Sequence, residues 1–206
     1  MSHIDERTGK PKIILDLCGG TGSWSKPYRE AGYDVRLITL PEHDVLTYSP
    51  PDNVYGILAA PTCTMFSLAR TTAKTPRDFT EGMVLVKACL EIIWLCRSRE
   101  PLKFWALENP TGYLRQFMGK PALTFHPSDY GDGYTKKTDI WGYFNEPKKS
   151  LRRLTDEELA ACKTNSRKLP DLWFGFMVGG VAGAVIGNLI GLAVVRWLDG
   201  KTTPKK

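Results

Sequence analysis

The chain opens with the polar stretch "MSHIDERTGKPK" and then breaks into "KIILDL", a short run of isoleucine and leucine that reads as a buried strand. "CGGTGS" follows as a tight turn, and a helix is predicted over 23–31. "YDVRLITL" is a second strand, "DVL" at Asp44 begins a short third, and "YGILAA" is a fourth that Pro61 stops. Beyond the linker "ARTTAKTPRD", Met83, Val86, Leu90, Ile93 and Trp94 recur about one helical turn apart, which predicts an amphipathic helix over 80–97 with Thr80 as its cap. "KFWAL", closed by "ENPTGY", and then "TDIWGYF" add two more strands. Strand and helix alternating with Gly/Pro-punctuated connections predict an α/β fold on a parallel sheet.

The carboxyl end has a different pattern. Over 172–198 the run "LWFGFMVGGVAGAVIGNLIGLAVVRWL" carries one charge, Arg196, and one strongly polar group, Asn188. It exceeds the roughly 20 apolar residues that a bilayer requires. Gly179, Gly183, Gly187 and Gly191 line one helical face, as in membrane helices that pack closely, while Trp173, Trp197 and the flanking lysines suit the interface. The alternative is a buried core helix, in which each glycine would cost about 1 kcal/mol. A transmembrane helix is expected at 172–198, after a basic linker at 151–171 and before a basic tail at 199–206.

Composition changes this picture little. Lys and Arg number 28 against 22 Asp and Glu, a net charge of +6 that is compatible with a polyanion or an anionic membrane surface but demands neither. Five cysteines (18, 63, 89, 96 and 162) form no CxxC pair, so neither a disulfide framework nor a zinc site is expected and a reducing compartment fits. The leader, 1–11, lacks the apolar core of a signal peptide, so export is not expected, and the expectation for the main domain, 12–150, is the cytoplasm of a bacterium or host.

Three segments carry candidate chemistry. The glycines of "DLCGGTGSW" would let the backbone approach a nucleotide-like ligand, and with no GK[ST] following, no pyrophosphate is demanded. A turn of this kind also forms for conformational reasons alone. Cys63, in "PTCTMFS", follows a strand whose carboxyl end is where open α/β sheets place their sites. It reads as a nucleophile or as an inert core thiol, the role expected of Cys89 and Cys96. Glu108 and Asn109, in "WALENP", end another strand on the same rim, where a carboxylate can also serve as a cap or a lysine partner.

In this order, "DLCGGTGSW", "PTCTMFSLAR" and "ENPTGYLR" resemble the DNA (cytosine-5)-methyltransferase family, whose motifs run DLFxGxGGF, PPCxxFS and ENV. The resemblance covers roughly residues 12–145, the PTCTMFS and ENP pair being more specific than the glycine turn. It implies a Rossmann-like S-adenosylmethionine-dependent methyltransferase domain over 12–150. Asp16, Cys18, Gly20, Gly22, Trp24, Asp44 and Pro61 would form the cofactor pocket. Cys63 would be the nucleophile that adds to C6 of cytosine, Glu108 the acid at N3, and Lys137, in "YTKKTDIWG", a cation at the place of the family's QxRxR motif. The partner implied is DNA with its target base flipped out.

The sequence departs from the family where Cys18 replaces an aromatic, Ser23 a glycine, Thr62 a proline and Pro110 a valine. Where the family has a ribose-binding acid, "LITLP" offers Thr39, with Glu42 nearby. The 60 or so residues after "DIWGYF" are too few for a full target-recognition domain beside a membrane helix, so a separate specificity partner is one expectation. "GNLIGLAV" also resembles the family's last motif, which would instead pack Gly187 and Asn188 near the cofactor. Two rival functions stay open: an amino-methyltransferase using "NPTGY", and a catalytically inactive, membrane-tethered binding protein on the same fold.

Overall fold

The computed structural model describes residues 3–6, 9–99, 102–130, 136–147 and 155–157. The expected membrane segment at 172–198, Gly187 and Asn188 with it, lies outside these residues. Among the described residues, no helix is long and apolar enough to cross a membrane.

Strands β1 (Ile13–Leu17), β2 (Asp34–Ile38), β3 (Val54–Ala59) and β4 (Phe104–Pro110) pair in parallel, with β1 between β2 and β3. Their apolar runs are those the sequence predicts, and β1 and β3 are buried along their whole length, as central strands covered on both faces should be. The expectation of a parallel sheet needs correction. A sixth strand, β6 (Thr138–Tyr143), lies between β4 and β5 (Leu123–Phe125) and runs antiparallel to both, completing a mixed order β2-β1-β3-β4-β6-β5. Only a 3₁₀ turn, Pro127–Tyr130, is described between β5 and β6, and a chain that returns without a crossover helix pairs antiparallel.

Three further expectations change. The first helix, α1, is Lys26–Glu30, later and shorter than 23–31, because the Ser25 hydroxyl is used by the preceding turn: it donates to Asp16 Oδ2 at 2.6 Å. The strand expected at Asp44 is a turn, since the Asp44 carboxylate accepts the Leu46 N–H at 3.0 Å, a local bond that competes with strand pairing. The long helix α2 is Phe79–Arg99, and its cap is Asp78, whose carboxylate accepts the Glu81 N–H at 2.9 Å, rather than Thr80.

The apolar stripe of α2 is also rotated from the predicted one. Val86, Cys89, Ile93 and Cys96 face the sheet with Ile13, Leu15 and Leu17, whereas Trp94 is 68% exposed, its ring 5.5 Å from the Arg97 guanidinium. The opposite sheet face is packed with Ile14, Trp24, Tyr28, Leu58 and Phe104, Tyr28 and Phe104 stacking at 5.6 Å. A short helix, α3 (Arg115–Met118), is tied to the sheet by Asp139 of β6, a fully buried carboxylate that accepts from Arg115 Nε and Nη2, both at 2.6 Å, and from the Thr111 and Thr124 hydroxyls.

Candidate active site

The parallel strands all end on one edge of the sheet. The chain order reverses between β1 and β3, so a crevice is expected outside their carboxyl ends. The glycine turn leaves β1 there, "PTCTMFS" leaves β3, and β4 brings Glu108 and Asn109 to the same edge. Because β6 runs the other way, its amino end also lies there, with Pro110 opposite Thr138 and Glu108 opposite Ile140, placing Lys136 and Lys137 at the rim.

At the first of these loops, Cys18, Gly20 and Gly22 all take the left-handed conformation, with φ of 56°, 55° and 70°. For Cys18 this is an uncommon state in a side-chain-bearing residue. Asp16 is fully buried beneath the turn, where a Cβ on Gly19 would run into its carboxylate. Its Oδ1 has no hydrogen-bond partner among the described residues, and burial, partly offset by the Ser25 bonds, pushes its pKa up to about 6. The Cys18 thiol is lowered by a hydrogen bond from Cys89 of α2, against burial and the charges of Asp16 and Asp44. Asp44 is thereby brought within electrostatic reach of the turn. Trp24 is not on the rim: it is 2% exposed and belongs to the core.

The second loop is fixed from several sides. Pro61 is buried, and its carbonyl accepts the Asn109 side-chain amide at 3.0 Å. The Cys63 carbonyl accepts the N–H groups of Phe66 and Ser67 at 2.9 and 2.8 Å, closing a tight turn. Ser67 and Gly112 form an antiparallel bridge, and Tyr113 N–H donates to Phe66 O at 2.9 Å. Glycine is required at 112, since a Cβ there would run into the Phe66 carbonyl. The loops after β3 and β4 are therefore one unit.

Cys63 is 9% exposed and Glu108 6%. Burial pushes both pKa values up, while the positive charge of Lys136 acts on each and lowers both; the Glu108 charge raises Cys63 further. Glu108 Oε1 has no hydrogen-bond partner among the described residues. Cys63, Glu108 and Lys136 thus lie within electrostatic reach of one another. Lys137 is exposed, and its carbonyl accepts the Thr111 N–H at 2.9 Å. Sequence reasoning did not single out Lys136; the adjacent lysines of "YTKKTD" were the available signal, and alternation along β6 does not extend far enough to choose between them. Cys89 and Cys96 are buried on α2, with thiol pKa values also raised, Cys96 to about 11.

No protein-family model matches the chain, and no curated protein is similar enough to it to count as a match.

Proposed function

We propose that the protein is an S-adenosylmethionine-dependent DNA (cytosine-5)-methyltransferase with a Rossmann-like domain. The observation that carries this reading is the pairing of a buried thiol, Cys63, with a buried carboxyl, Glu108, beside the glycine turn at the point where the strand order reverses.

The residues present suit the cofactor. Cys18, Gly20 and Gly22 of the turn take left-handed backbone, Asp16 Oδ1 is an unmatched polar atom below it, and Asp44 lies close by. The turn, Asp16 and Asp44 would hold S-adenosylmethionine, which when bound supplies an electrophilic methyl group. Trp24 would act from beneath, as packing.

The remaining chemistry belongs to the chain's own groups. The Cys63 thiol loses its proton to solvent, and the thiolate adds to C6 of a cytosine lifted from the DNA stack. Glu108, whose burial favours its protonated form, donates to N3 and stabilises the charge that the addition creates. Lys136 stabilises the thiolate. C5, now electron-rich, accepts the methyl group and N3 returns its proton to Glu108; loss of the C5 proton to water then restores the double bond and expels the Cys63 sulfur as thiolate.

The amino-methyltransferase alternative is less well supported. Asn109 and Pro110 are buried strand residues, and the Asn109 amide is engaged by Pro61. The apolar stretch at 172–198 adds membrane attachment to the proposal, with the methyltransferase domain on the cytoplasmic side. Incubation with tritiated S-adenosylmethionine and DNA, followed by digestion to nucleosides, tests the function. Label in 5-methylcytosine is expected; label in N6-methyladenine or N4-methylcytosine, or none, would overturn it.

A further inference from the structure

Arg77 lies in the linker before α2, outside all three motifs. Its guanidinium makes two hydrogen bonds to the turn that carries Cys63: Nη1 donates to Met65 O and Nη2 to Ser67 O, both at 2.8 Å. The guanidinium carbon also sits 4.9 Å from the centre of the Tyr113 ring, and Tyr113 N–H holds Phe66 O between those two carbonyls. Three successive carbonyls, of residues 65, 66 and 67, are therefore all engaged from outside the turn. Next to Arg77, Asp78 caps α2, so the arginine projects from the start of a 21-residue helix. Arg77 thus ties the turn to the start of α2.

We propose that Arg77 is the positioning residue for Cys63, holding the carbonyl face of the 63–67 turn so that the thiol is presented at the angle from which it attacks the base. This rests on the reading of Cys63 as the nucleophile. The planar fork matters: a lysine ammonium offers three donors from one compact centre but has neither the two separated nitrogens that reach Met65 O and Ser67 O nor the flat face that lies over Tyr113. Arg77 contacts no reacting atom, so its loss should reduce turnover and leave cofactor binding intact.

The test uses the full chain as wild type, Arg77→Ala and Arg77→Lys. It measures methyl transfer to cytosine DNA, S-adenosylmethionine affinity by calorimetry, and iodoacetamide labelling of each cysteine by peptide mapping. Arg77→Ala is expected to lower kcat by about 100-fold, the scale of a small misplacement of a reacting group, with cofactor affinity unchanged. Arg77→Lys should restore only part of it. Labelling of Cys63 should rise severalfold as the turn loosens, while Cys89 and Cys96 stay protected. General unfolding would also lower turnover and expose Cys63, but it would expose the buried Cys89 and Cys96 as well, so their continued protection marks a change confined to the turn. If Arg77→Ala exposes Cys89 and Cys96 as well, Arg77→Lys decides: reduced kcat with both protected supports the role, and wild-type kcat overturns it. Unchanged Cys63 labelling and unchanged kcat in Arg77→Ala also overturn it. Should the wild type methylate no cytosine, the methyltransferase reading fails, and the labelling of Cys63 in Arg77→Ala still judges the clamp.

Discussion

Two residues of the candidate site are ionisable groups whose charged forms burial opposes, and each makes a pH prediction. Asp16 has a folded-state pKa of about 6, above the ordinary 3.8, chiefly through burial. Folding therefore favours its protonated form: the stabilising contribution is complete below pH 3.8 and is lost as pH rises through about 6. At about 1.4 kcal/mol per unit this amounts to about 3 kcal/mol. Asp16→Asn should remove that loss, so urea titrations at about pH 3 and about pH 7.5 should show the variant gaining about 3 kcal/mol on wild type between the two. Parallel pH dependences would show that the Asp16 carboxylate is not desolvated. Cys63 makes the second case. Its alkylation should follow a midpoint above 9.0, because burial disfavours the thiolate, and Lys136→Ala should move that midpoint higher still by removing the offsetting charge. An unmoved midpoint would separate Lys136 from the site.

Strands and helices were legible in the sequence where apolar runs decide them. β1, β3 and β4 are such runs, and so is the core of α2. The rotation of the α2 stripe was hidden because Cys89 and Cys96 fill core positions that an aliphatic count passes over, while Trp94 is a large apolar residue outside the core. The Asp78 cap is written in "DFTE", an acid three residues before Glu81, but Thr80 two residues on is also an acceptable capping type, so residue identity does not choose between them. β5 is only three residues long, below what periodicity can register, and the direction of β6 depends on a connection rather than on any local pattern. Cys63, Glu108 and the glycine turn were visible as motifs, whereas Arg77 and Lys136 act through tertiary contacts made by residues of ordinary surface type. Among such contacts, the Asp139 network joins α3 to β5 and β6. Asp139→Ala, which removes the buried partner of Arg115 and of two hydroxyls, should destabilise the fold by about 3 kcal/mol in urea titration. A loss below about 1 kcal/mol would mean that the pair behaves as a surface ion pair.

For the whole molecule, the mixed sheet explains how groups distant in sequence reach one edge. Three parallel strands bring the glycine turn, the Cys63 loop and Glu108 there, and a single reversed strand brings Lys136. If the 172–198 stretch anchors the protein as proposed, the full chain should fractionate with membranes and resist carbonate extraction; release into the soluble fraction would remove the anchor from the proposal without touching the chemistry. The chemistry is tested most directly with DNA carrying 5-fluorocytosine and S-adenosylmethionine. Fluorine at C5 leaves no proton to depart after methylation, so the sulfur cannot be expelled. A covalent protein–DNA adduct mapped by mass spectrometry to Cys63 is expected, and should be absent from Cys63→Ser. No adduct, or one on another residue, would contradict the assignment of Cys63 as the nucleophile.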